Sequence, residues 1–179
     1  MPIQIYILSK LIEDNTYPYK LKKQLSEPIP FDQLGGLTES KLYYHFDSLA
    51  KKGFIEPVEI IKEENRPDKQ VFTITAKGRE ELPKKIYKLF ETATTITEML
   101  IGLVNMKYVN RDRVVQILEK KLKKLLTFDE HIRDIYKQMQ IDKKSELLFE
   151  FVNGYITTRK EQTIHSLQEL IVLIQQEKI

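Results

Sequence analysis

Cysteine and tryptophan are absent from the 179 residues. Without cysteine there are no disulfides, no thiolate metal sites and no cysteine nucleophile. Without tryptophan, no indole is available to stack on a ligand or a base. Six glycines and seven prolines are too few for a collagen-like or low-complexity chain. No run approaches the ~18–20 uninterrupted apolar residues of a membrane-spanning helix. With 41% hydrophobic and 31% charged residues, the chain is too apolar to be disordered and too charged to be embedded in a membrane. Its length fits one large domain or two small ones. The N-terminal MPIQIYILSKLIEDN lacks a basic n-region and a long apolar h-region. It reads as a mature start, and the expected location is the cytoplasm.

Net charge is a mild +3, and it is unevenly placed. Residues 1–83 hold 12 Lys/Arg and 13 Asp/Glu, a net of −1, whereas residues 84–179 hold 17 and 13, a net of +4. Overall charge is therefore weak support for a polyanionic partner. Nucleic-acid binding by the N-terminal half has to rest on pattern and local placement.

The pattern begins with a helix over Ile3–Asn15, whose Ile5, Leu8, Leu11 and Ile12 form one apolar stripe. Tyr17-Pro18-Tyr19 opens a second, short helix, with Pro18 in its first turn, Leu21 and Leu25 inward, and Lys20, Lys22 and Lys23 outward. Pro28, Pro30, Gly35 and Gly36 mark the stretch Glu27–Leu37 as a loop. Thr38 is a suitable N-cap for a third helix, with Leu42, Phe46 and Leu49 buried and Gly53 as its C-cap. Residues 54–61 are β-rich, with Pro57 marking an edge or bulged strand. Arg66-Pro67-Asp68 makes a turn, and residues 70–75 alternate, with Phe72 and Ile74 on one face. Three helices followed by a long hairpin describe a winged helix-turn-helix.

Thr75 caps a helical remainder. Pro83 implies either a kinked helix over 76–92 or a stop and restart. Thr92–Met106 reads as one apolar helix carrying Ile96, Met99, Leu100, Leu103 and Val104. Asn110 caps a helix that carries Val114, Leu118, Leu122, Leu125, Ile132, Tyr136 and Met139 on one seam, which suits a coiled-coil-like partner. A last helix covers roughly Lys143–Glu177, in which Asn153-Gly154 is a break or a place of close approach. The expected fold is mainly α with a small β-hairpin wing. Residues 1–83 are expected to form the winged helix-turn-helix DNA-binding domain and 84–179 a helical dimerisation domain.

In such a module the third helix enters the major groove and the wing touches the backbone or minor groove. Thr38, Glu39, Ser40, Lys41, Tyr43, Tyr44 and His45 cluster in the first two turns of helix three. Short hydroxyls, a lysine and phenols all reach phosphate oxygens or base edges, and the helix start favours a phosphate. Arg66 and Lys69 stand at the wing. Tyr43 and Tyr44 equally suit half-buried packing positions, and Glu39 also suits a first-turn dipole partner. Winged helices also serve as protein-interaction modules, so an adaptor without direct DNA readout is the competing class.

Five motif pieces stand in one order: Tyr17-Pro18-Tyr19-Lys20, Thr38-Glu39-Ser40-Lys41-Leu42-Tyr43, Leu49-Ala50-Lys51-Lys52-Gly53-Phe54-Ile55, Arg66-Pro67-Asp68-Lys69, and Phe72-Thr73-Ile74-Thr75-Ala76-Lys77-Gly78. In these the sequence resembles the PadR-type transcriptional regulators. Two residues depart from that pattern: Ser40 stands where a glycine is usual, and Lys20 where an acid is usual. The resemblance implies phosphate-contacting phenols at Tyr19 and Tyr43, and a cation near the backbone at Lys20. It places Lys41 and Ser40 at the groove and Arg66 and Lys69 on the wing. It also implies a homodimer through the C-terminal helices, an inverted-repeat operator in double-stranded DNA, and a small aromatic effector. The apolar faces of 114–139 and 147–174, too large for one small winged domain to cover, point to the same dimer.

Catalytic signatures are missing. His45, His131 and His165 are far apart and lack metal-ligand spacing, and His131 with Asp134 suits a surface pair. No phosphate loop, nucleophile elbow or paired-carboxylate arrangement occurs, so neither an enzyme nor a cofactor is expected. The basic run Lys120-Lys121-Leu122-Lys123-Lys124 reads as the solvated face of its helix. Met99, Met106, Tyr108 and Phe128 are of the kind that line effector pockets, but such residues are more often core, and no effector site is assigned to them.

Overall fold

A computed structural model describes residues 2–24, 39–62, 68–137 and 143–179, with the backbone alone at 39–40, 128–137 and 143–145. Thr38, Arg66, Leu25, Met139 and the loop 27–37 lie outside the described residues, as do the side chains of Ser40 and Phe128. The described chain forms helices α1 (Pro2–Glu13), α2 (Pro18–Lys23) and α3 (Glu39–Lys51), then strands β1 (Ile55–Ile61) and β2 (Lys69–Ile74). Helices α4 (Ala76–Thr92), α5 (Ile96–Leu103), α6 (Arg111–Lys137) and α7 (Lys143–Gln175) follow. Two compact units result, Met1–Asn110 and Arg111–Ile179.

In the first unit α1 is the central element. The expected single stripe understates it: Ile3, Ile5, Tyr6, Ile7, Leu8 and Leu11 are all buried, because α3, α4, α5 and β2 pack around it. α2 begins at Pro18, whose fixed φ suits a first turn, and it buries Leu21. α3 buries Leu42, Phe46 and Leu49. It ends in a Schellman motif: Gly53 takes φ +70°, its N–H bonds the Ala50 carbonyl, and the Phe54 N–H bonds the Leu49 carbonyl.

β1 and β2 pair antiparallel from Ile55↔Ile74 to Ile61↔Lys69, with an irregularity between Pro57 and Glu59. Pro57 has no N–H to give the ladder, so a bulge at that point fits its chemistry. On the outer edge of β2, Thr16 and Phe72 exchange backbone bonds of 3.1 and 2.9 Å. That bridge fastens the wing to the segment between α1 and α2.

Thr75 caps α4, its Oγ1 accepting from the Gly78 N–H at 3.1 Å. α4 is one continuous helix through Pro83, burying Leu82, Ile86, Leu89 and Phe90, and not a stop and restart. The expected helix over 92–106 is corrected to a shorter one. Thr95 and Glu98 form a capping box that starts α5 at Ile96. The buried Asn105 Nδ2 donates to the Ile101 carbonyl at 2.7 Å, closing the helix end. α4 and α5 pack on α1, so the first compact unit runs on to Asn110.

The second unit is an antiparallel hairpin of α6 and α7, with Arg111 Nε donating to the Ile179 carbonyl at 3.3 Å. Val114, Val115 and Leu118 of α6 and Leu167, Leu170, Ile171 and Ile174 of α7 are buried. α7 is unbroken at Asn153-Gly154, and nothing lies within 4 Å of where a Gly154 Cβ would stand. The close approach that this glycine would permit is therefore not made among the described residues. Among the described residues no helix is long and apolar enough to cross a membrane.

Candidate nucleic-acid interface

The inward spacing of Leu42, Phe46 and Leu49 fixes what α3 presents outward. Lys41, Tyr43, Tyr44, Asp47 and Lys51 are exposed, with Tyr43 at 52% and Tyr44 at 69%. These phenols are surface groups and not packing aromatics. α2 contributes Tyr19, 44% exposed, with Lys23 Nζ 5.0 Å from its ring centroid. β2 contributes Lys69, whose Nζ stands 5.6 Å from the Tyr17 ring centroid. Each lysine thus sits over an aromatic face, which helps to hold the ammonium in place.

Between α2, α3 and β2 lies a cleft of about 660 Å³ whose walls include Tyr17, Tyr19, Lys23, Tyr43, Asp47 and Lys69. It brings together three of the residues expected at the site: Tyr19, Tyr43 and Lys69. Lys41 and Tyr44 are exposed on α3 but do not line it. Lys20 does not line it either. It pairs with Asp14 at 3.3 Å and borders a separate recess with Lys10, Glu13 and Thr16.

His45 is corrected. It is half-buried, with Nδ1 3.4 Å from Gln4 Nε2 of α1. Burial, with nearby lysines adding, holds its imidazole below the ordinary pKa of 6.5. Tyr17, Lys23, Asp47 and Asp68, all in the cleft wall, were not singled out from the sequence. Helical spacing was the available signal, since Lys23 follows Tyr19, and Asp47 follows Tyr43, by one turn. Met99 and Met106 are core residues. Among the described residues no group of three or more His, Asp or Glu is placed to hold a metal ion.

The helix pair α2–α3 with the two-stranded wing behind it defines a winged helix-turn-helix protein. Residues 7–84 match the model of the transcriptional regulator PadR-like family. Through this segment the chain belongs to the PadR-like family of transcriptional regulators.

Among solved structures, Bacillus subtilis PadR in complex with operator DNA is 16% identical, covering 96% of this chain and 98% of that one, with a TM-score of 0.44. Bacillus subtilis PadR in complex with p-coumaric acid is also 16% identical, covering 98% and 99%, with a TM-score of 0.42. A transcriptional regulator from Clostridium thermocellum is 30% identical, covering 48% of this chain and 78% of that one, with a TM-score of 0.39. No curated protein sequence matches the chain.

Proposed function

We propose that this chain is a cytoplasmic, sequence-specific DNA-binding regulator, a homodimeric repressor released by a small aromatic effector. The observation that carries DNA binding is the cleft joining Tyr19 and Tyr43 to Lys23 and Lys69 beside the exposed face of α3. Phenols and ammonium groups on one concave face suit a sugar-phosphate strand, and the neighbouring helix face suits base edges. In this reading Lys41 and Ser40 lie at the groove. Tyr44, Lys20 and Thr38 support the backbone contact, and Arg66 and Lys69 act from the wing. Residues 1–83 bind DNA and 84–179 dimerise. Effector release is carried by family membership alone. No catalytic activity belongs to this reading.

The dimer is supported by α7, where Leu147, Leu148, Phe151, Val152, Tyr155 and Ile156 are all exposed in the single chain. Contiguous apolar surface of this kind marks an interface. A two-fold pair sets two recognition helices about one DNA turn apart, so the operator is an inverted repeat.

A gel-shift titration against DNA upstream of the protein's own gene tests the reading. A shift that weakens steeply with salt is expected, and no shift at low salt overturns it. The exposed Val58 and Ile60 on β1 favour a second reading, a wing that docks a protein. That reading predicts a partner in pull-downs that are lost on Ile60→Lys, with no DNA shift.

A further inference from the structure

Among the described side chains, the outward stripe of α3 contains one acid beside its phenols and lysines. Asp47 is exposed, stands one helical turn beyond Tyr43, and lines the same cleft as Tyr19, Tyr43 and Lys69. Among the described residues no hydrogen bond or ion pair engages its carboxylate. Opposite a polyanion, an uncompensated carboxylate weakens binding. It does so unless it meets a hydrogen-bond donor.

The major groove offers such donors only as exocyclic amino groups. The amino group of adenine stands beside the N7 acceptor of the same base, which repels a second carboxylate oxygen. Cytosine N4 presents a donor alone, and it is the group that Asp and Glu accept from in base readout. Resting on the DNA-binding reading above, we propose that Asp47 is a specificity-determining residue. It accepts a hydrogen bond from the N4 amino group of one cytosine in each half-site and, by its charge, penalises every other base there. The cost of the carboxylate elsewhere is what makes it selective, since discrimination grows as much from repelling the wrong sequence as from attracting the right one. The cleft's Tyr19, Tyr43, Lys23 and Lys69 supply affinity without sequence information.

The test is selection of binding sequences from a randomised duplex library by the full-length chain, as wild type, Asp47→Ala and Asp47→Asn. Affinity for an unselected duplex is measured in parallel by fluorescence anisotropy. Wild type is expected to enrich a C·G pair at one fixed position of each half-site, by roughly tenfold or more over other pairs. Asp47→Ala should flatten that position alone and tighten binding to unselected duplex about threefold or more. Asp47→Asn should move the same position toward adenine, the base that Asn reads through N6 and N7. Identical base preferences in wild type and Asp47→Ala would overturn the role of Asp47 while leaving DNA binding intact. Failure of wild type to retain any duplex would overturn both.

Discussion

The backbone carbonyl of Phe54 occupies the space that a side chain on Gly78 would need, and a Cβ there would also stand 2.8 Å from the Ile74 side chain. The contact joins three turns. The Thr75 N–H bonds the Phe54 carbonyl at 3.1 Å, and Thr75 Oγ1 donates to the Gly53 carbonyl at 2.7 Å. The C-cap of α3, the root of the wing and the N-cap of α4 are therefore one hydrogen-bonded junction, which sets the angle between α3 and the hairpin. Gly78→Ala forces backbone atoms apart, and a loss of roughly 2–3 kcal/mol in urea unfolding is expected. A loss below about 0.5 kcal/mol would show that the turn relaxes freely.

The cleft residues should separate affinity from stability. Tyr19→Phe and Tyr43→Phe each remove an exposed hydroxyl, so thermal unfolding should be unchanged while DNA affinity falls about three- to tenfold. Lys69→Ala should weaken binding to every duplex alike and reduce the slope of log affinity against log salt by about one. Lys41→Ala should change sequence preference more than Lys69→Ala does. Binding isotherms at several salt concentrations check all four, and wild-type isotherms for all of them would dismiss this surface.

Where local chemistry decides the structure, the sequence is easily read. Gly53 and Thr75 bracket the wing because one alone takes positive φ cheaply and the other offers a cap. The alternation of Phe72 and Ile74 reveals β2. Tertiary packing decides the rest and leaves fainter marks. α1 is buried on most sides because of what surrounds it, which its own stripe does not encode. Thr94-Thr95 leads directly into the apolar segment Ile96–Leu103, and only the reciprocal Thr95–Glu98 cap distinguishes a restart from a helix interior. Gly154 costs a helix only about 1 kcal/mol, so α7 runs through it. On α3 the phenols and lysines have the chemistry that suits the proposed DNA partner, whereas Asp47 carries the opposite sign and joins them only through the cleft that the fold builds.

Leu148 and Phe151, 65% and 73% exposed, stand three residues apart on one face of α7. If a second copy covers them, Phe151→Glu buries an unpaired charge in that interface and should dissociate it. Analytical ultracentrifugation is expected to show a dimer for wild type and a monomer for the variant. Affinity for an inverted repeat should fall on the order of a hundredfold while that for an isolated half-site stays constant. A dimeric Phe151→Glu would place the interface elsewhere.

Tyr6 predicts how stability responds to alkali. Its ring is buried at 2% exposure, and its hydroxyl donates to the Leu21 carbonyl at 3.4 Å, joining α1 to α2. Burial, with the charge of Glu13 adding, pushes the phenol from 10.0 up to about 12. In the unfolded chain the phenol ionises at the lower value, so the unfolded state gives up its proton first. The contribution of Tyr6 is complete below pH 10 and is lost as pH rises toward about 12. Tyr6→Phe removes the ionisable group and the hydrogen bond, so the variant should be about 1 kcal/mol less stable near neutrality. Above pH 10 its stability should decline less steeply than that of wild type, and the two unfolding curves should converge. Parallel curves across that range would mean that the Tyr6 phenol ionises alike in the folded and unfolded chains.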